Sequence, residues 1–246
     1  MRWQDRAKAT GATGARRAKN ELRPYAAAAV GAAARGVDHA ARRVGRVSAL
    51  PTPVEILAAY SRGWVLFGQP RHRLPAVHWE RFPTRAIITP ESAKVPKRLR
   101  TIQRRDEFEV RIGEDFEAII EQCRVGRTGW LTADAVEAYR RVHELGCLST
   151  VATYREGRLA GGFWGIEVGR TLGIMSMFHL QDHAGALALA AVADAVAERR
   201  RWTLIDCGGL NENFRRYGAY EVPTEEFCEL VWRGMAIPEV SKDPRL

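Results

Sequence analysis

Hydrophobic spacing divides the chain into short elements of alternating type. Ile56, Leu57 and Tyr60 share one helical face, which predicts a helix over residues 53–62, followed by the apolar run 63–68 and a loop. Alternation over Phe108–Ile112 predicts a strand, and Phe116, Ile119, Ile120 and Cys123 lie on one face of a helix. Thr132 suits an N-cap with Asp134 in the first turn. That helix continues through Val136, Tyr139 and Val142 to Leu145, where Gly146 stops it. Leu148–Tyr154 and Leu159–Val168 read as strands around the turn Arg155-Glu156-Gly157-Arg158, and Thr171–Phe178 as a further strand. Ala184–Arg201 reads as a long helix with three arginines favourably at its C-terminus. Leu204–Asp206 then forms a strand, and Thr224 caps a last helix through Trp232.

The order strand, two helices, three strands, helix, strand, helix predicts an α+β fold. Its layout is that of a GNAT-like (acyl-CoA N-acyltransferase-type) C-terminal domain over residues 107–246. A small N-terminal domain, 51–106, and a basic arm, 1–50, are expected before it. The 246 residues suffice for a substantial core, and no apolar run is long enough to span a membrane. Cys123, Cys147, Cys207 and Cys228 form no Cys-x-x-Cys pair, so reduced thiols in a cytoplasmic protein and no metal are expected.

Charge changes the picture in two places. Residues 1–50 hold eleven Lys or Arg against three Asp or Glu, which is +8 of the chain's net +9. The arm is therefore either a polyanion-binding segment or a solvated tail. Lys94, Lys97, Arg98, Arg100, Arg104 and Arg105 then fall within residues 91–105 against one acid, Glu91. That run is a phosphate-binding candidate or a solvated helix face.

Asp206 ends an apolar strand and is followed by Cys207, Gly208 and Gly209. Ligands tend to sit where strands end in such sheets, although an acid there can also simply cap a loop. Phe163, Leu172, Met177, Val192, Val196 and Ile205 come from adjacent strands and a helix, as a pocket lining or as plain core. His179 and His183 are spaced i, i+4, which fits an ordinary turn better than a metal site. The junction 179–186 holds one glycine and places Asp182 where a phosphate would approach. It is a poor cradle for coenzyme A, and no cofactor is expected.

Several blocks resemble the leucyl/phenylalanyl-tRNA–protein transferases. They are Trp130-Leu131-Thr132, residues 138–146 from Ala138 to Gly146, residues 159–165 from Leu159 to Gly165, Ser176-Met177-Phe178, residues 204–207, Leu210-Asn211 and Gly218-Ala219. Weaker similarity reaches back to Tyr60-Ser61-Arg62-Gly63 and Pro83-Thr84-Arg85-Ala86. The resemblance implies transfer of Leu or Phe from aminoacyl-tRNA to a protein N-terminus, which marks that protein for degradation. It implies that Asp206 and Tyr139 are catalytic and that Trp130 lies near the tRNA 3′ adenosine. Phe163, Leu172, Met175, Ser176, Met177, Phe178, Val192, Val196, Ile205, Gly208 and Asn211 would surround the substrate, and the 94–105 run would meet the acceptor stem. Two positions depart from the family pattern: Met175 replaces a glutamate and Gly208 a glutamine that help to place and activate the acceptor. The alternatives are a silent tRNA binder, aminoacylation of a small amine, and an acyl-CoA N-acyltransferase.

Overall fold

The computed structural model describes residues 50–69, 77–125 and 129–236; the expected basic arm, apart from Leu50, lies outside the described residues. Helix α1 (Pro53–Tyr60) opens in a capping box, in which the Glu55 amide donates to Thr52 Oγ1 and the Thr52 amide donates to Glu55. Strands β1 (Trp64–Gly68) and β2 (Val77–Arg81) pair in a two-stranded sheet. Then come β3 (Thr84–Ile88), helix α2 (Lys97–Arg104), β4 (Glu109–Ile112), α3 (Phe116–Arg124) and α4 (Ala133–Glu144). A meander of β5 (Leu148–Arg155), β6 (Arg158–Val168) and β7 (Thr171–His179) follows. Helix α5 (Ala184–Ala197) leads to β8 (Leu204–Gly208), the short helix α6 (Glu212–Arg215), β9 (Tyr220–Pro223) and α7 (Thr224–Ala236).

Seven strands form the large sheet in the order β4-β5-β6-β7-β8-β3-β9. All neighbours are antiparallel except β7 and β8, whose parallel pairing α5 connects. Strand β3 comes from the segment expected to be a separate small domain, so the sheet crosses the expected boundary at 106/107. Two cores lie on the two faces. Phe163, Leu172, Leu187, Val192, Val196 and Ile205 pack the α5 face. Tyr60, Leu66, Tyr139, Trp164, Phe178 and Phe227 pack the other, beneath α1, α3, α4 and α7. Full burial of each such apolar side chain contributes roughly 1.5–3 kcal/mol.

Two helix boundaries are set locally. Helix α2 starts only at Lys97, because Pro96 disfavours helical backbone in the residue before it. Helix α5 ends at Ala197 rather than Arg201, since Arg199 takes a left-handed φ of 51°.

Candidate functional site

The pairing of β7 with β8 stops early. Thr171, Leu172 and Gly173 pair with Leu204, Ile205 and Asp206, after which β7 runs on to His179 without β8 beside it. Beyond the last rung, Ile174 to Met177 on β7 and Cys207 to Gly209 after Asp206 have no ladder pairing with one another, which leaves a gap in the β7–β8 seam. Met175 is the extra residue of a β-bulge: Ile174 pairs with Gly165 and Ser176 with Trp164, leaving Met175 without a partner on β6. Gly208 has a left-handed φ of 71°, which favours glycine, and a Cβ built there would meet nothing within 4 Å.

Asp206 sits at the closed end of this gap in a saturated network. Tyr60 Oη donates to Oδ2 at 2.6 Å, Arg85 Nε donates to Oδ1 at 3.1 Å, Arg85 Nη2 donates to Oδ2, and the Gly208 amide donates to Oδ1 at 2.8 Å. The carboxylate side chain is 2% exposed and that of Arg85 3%. The Arg85 guanidinium lies over the Phe227 ring, 4.9 Å from its centroid. Gly173 makes room for this cluster, because any Cβ there would fall 2.0 Å from Tyr60 Oη. Burial is the largest single influence and pulls the Arg85 guanidinium down, but the Asp206 charge and hydrogen bonds, with smaller contributions from Tyr60 and Cys228, together outweigh it and hold the group above its ordinary value. Burial, and then the Asp206 charge, push the Tyr60 phenol well up. The same two causes raise the Cys207 thiol, so the sulfur beside Asp206 stays protonated and unreactive.

Burial also raises the Tyr139 phenol. The folded state thus keeps protons on Tyr60 and Tyr139 that the unfolded chain releases near pH 10. Stability present below that pH should fall as pH rises above about 10, and melts between about pH 8 and 11 check it; a midpoint constant over that range would contradict the phenol shifts.

The structure brings together some expected site residues and separates others. Phe163, Leu172, Val192, Val196 and Ile205 are all 0% exposed and form filled core on the α5 face. Strand alternation turns Asp206 to the opposite face from Ile205, toward Tyr60. The open apolar cavity expected beside the carboxylate is therefore corrected to packed core across the sheet from it; of that set only Met177 is partly exposed. Tyr139 is likewise corrected: it is fully buried and its hydroxyl donates to the Leu66 carbonyl at 2.6 Å, a bond that holds β1 rather than a group free for chemistry. Asn211 is exposed and caps α6, its Oδ1 accepting from the Phe214 amide at 3.0 Å. Ser176 and Phe178 are buried along β7.

Trp130 is partly exposed and belongs to an aromatic group on the Asp206 face. Its ring centroid lies 5.2 Å from Phe67, 6.4 Å from Tyr139 and 6.2 Å from Trp164, with which it stacks. Met175 packs against the same core.

On and just before α2, Lys94, Lys97, Arg98, Arg104 and Arg105 are exposed, and Arg100, exposed as well, forms a two-pronged pair with the buried Asp194 of α5 at 2.7 and 2.6 Å. Arg100 thus docks the helix against α5 while its side chain stays 44% exposed. Removing it should cost about 1–3 kcal/mol by leaving Asp194 without its partner. Replacing Arg104 and Arg105 by Ala should instead lower the log–log salt slope of tRNA binding by about 0.7–0.9 for each phosphate no longer neutralised. Filter binding across a salt series checks this; an unchanged slope would leave the run as a solvated face.

The sequence alone assigns no site role to Arg85 or Tyr60. Their signal is a charged residue within the β-favouring run Thr84–Ile88 and a tyrosine at the end of an apolar helix face. Only their shared partner Asp206, far downstream in the chain, reveals their use.

The family model described as leucyl/phenylalanyl-tRNA protein transferase matches residues 87–232. A leucyl/phenylalanyl-tRNA–protein transferase of Azoarcus sp. (strain BH72) is 35% identical over 184 residues, covering 72% of this chain and 75% of that protein. One of Cupriavidus metallidurans is 33% identical over 202 residues, covering 77% and 78%. Among solved structures, a GCN5-related N-acetyltransferase from Kribbella flavida aligns at 14% identity with a TM-score of 0.33, over 67% of this chain and 54% of that one. Among the described residues no helix is long and apolar enough to cross a membrane.

Proposed function

The chain belongs to the leucyl/phenylalanyl-tRNA protein transferase family, and from that premise we propose that it moves an apolar aminoacyl group from charged tRNA to the α-amino group of a protein. The GNAT-like reading of the fold rests on the antiparallel meander β4 to β7, the parallel β7–β8 pair and the α5 crossover between them.

The reaction demands little of the protein. The amine nitrogen attacks the ester carbonyl carbon, a C–N bond forms and the C–O bond to the ribose breaks. The proton lost by the nitrogen ends on the ribose oxygen. Holding ester and amine in register can be worth roughly 7–11 kcal/mol. The gap beyond Gly173 and Asp206 is the place for them, with Trp130 and its aromatic neighbours facing the terminal adenosine. Both Asp206 oxygens are already engaged, so Asp206 acts as a positioning residue. It fixes the Gly208 amide and Tyr60 at the closed end of the gap. The exposed cations of α2 meet the acceptor stem.

The observation that carries this reading is the buried Arg85–Asp206–Tyr60 cluster, placed where the parallel strand pair comes apart. The test is incubation with leucyl- or phenylalanyl-tRNA and a set of peptides and proteins. A new N-terminal Leu or Phe on the acceptor is expected. Tight binding of charged tRNA with no transfer to any acceptor would leave a silent binder instead.

A further inference from the structure

We infer that the acceptor taken at this site carries an uncharged N-terminal residue, with Met175 and Gly208 as the specificity-determining pair; the inference rests on the transfer activity proposed above. Met175 and Gly208 each lie two residues past the last β7–β8 rung, Gly173–Asp206, on the two strands where their pairing has ended. The two positions, distant in the chain, therefore flank the gap from its two sides. One contributes a thioether from a bulge and the other contributes no side chain, with open space around it and around Gly209.

A cationic acceptor side chain entering this space loses water and must find an acceptor of its charge. Asp206, the carboxylate at the gap, has both oxygens engaged and is neutralised by Arg85 in direct contact. The Arg85 charge lies behind it and opposes a second cation. Glu212, four residues beyond Gly208, is exposed, and Glu221 lies two strands across the sheet, where Ala86 pairs with both Gly208 and Glu221. Water screens both of these carboxylates, so a cation gains little from them. What the gap does offer is a polarizable methionine and uncovered backbone, which suit a small or apolar side chain.

The experiment measures kcat/KM for transfer from one charged tRNA to peptides that differ only in their first residue. Ala- and Leu-starting peptides should exceed Arg- and Lys-starting ones by at least about tenfold. Met175→Glu places a carboxylate on the β7 side of the gap and should shift the ratio toward Arg and Lys by at least about tenfold, while Met175→Gln, of similar size, should not. Melts on both variants show that the bulge still folds. A wild-type preference for Arg or Lys, or equal ratios for the Glu and Gln variants, would overturn the inference while leaving the transferase reading intact. Transfer to no acceptor at all would overturn both.

Discussion

An Asp206→Ala chain is expected to lose aminoacyl transfer by at least about 10²-fold and to lose about 3–5 kcal/mol of stability. The two losses have different origins. The stability loss comes from what is left behind: a guanidinium that is 3% exposed, held over Phe227 and without its carboxylate. The activity loss comes from release of the Gly208 amide and Tyr60, which sets the closed end of the gap adrift. Arg85→Ala should show the same stability loss from the other side, since it strands Asp206. Denaturant titration and single-turnover transfer on the same samples separate the two. An Asp206→Ala chain of wild-type stability would mean that the pair is not formed in solution.

Trp130 and Tyr139 should behave oppositely although their rings lie 6.4 Å apart. Tyr139→Ala empties a fully buried site between Trp164 and α4 and should cost about 3–5 kcal/mol. Tyr139→Phe removes only the hydroxyl that serves the Leu66 carbonyl. It should cost about 1 kcal/mol and leave transfer by the surviving folded protein close to wild type. Trp130 is partly exposed at the edge of the aromatic group. Its replacement by Ala should weaken binding of the charged tRNA terminus by about 1–3 kcal/mol, the worth of one base stacked on an aromatic ring. Tyr139→Phe abolishing transfer at unchanged stability would restore a chemical role to that hydroxyl.

The residues that made the sequence readable are those whose role is settled locally. Thr132 accepts from the Ala135 amide as an N-cap should, and Gly146 takes a φ of 80° at the end of α4. The turn Arg155–Arg158 closes the β5–β6 hairpin with Glu156 and Gly157 both at positive φ. What stayed hidden depends on distant partners. Strand β3 goes unassigned in the sequence because Arg85 interrupts its apolar run, and a buried arginine makes sense only beside Asp206. Strands β2 and β9 are short and largely polar, and no periodicity marks them. Asp206 stands out in the sequence as a candidate site residue, but its direction does not show there. Alternation along β8 sends it away from Ile205, and therefore away from the apolar set that the same stretch suggested as its pocket. Strand identity alone could not show that α5 fills that side with packed core.

The sharpest test of the buried cluster's role is single-turnover transfer by a chain carrying Tyr60→Phe, Arg85→Met and Asp206→Leu together. Replacing the whole polar cluster with apolar groups of similar shape removes every stranded charge, so the variant should fold at least as stably as Asp206→Ala and bind charged tRNA as the wild type does. Its transfer rate should nevertheless fall by at least about 10²-fold. Transfer at the wild-type rate from this variant would show that the cluster only holds the sheet together and that the reaction centre lies elsewhere.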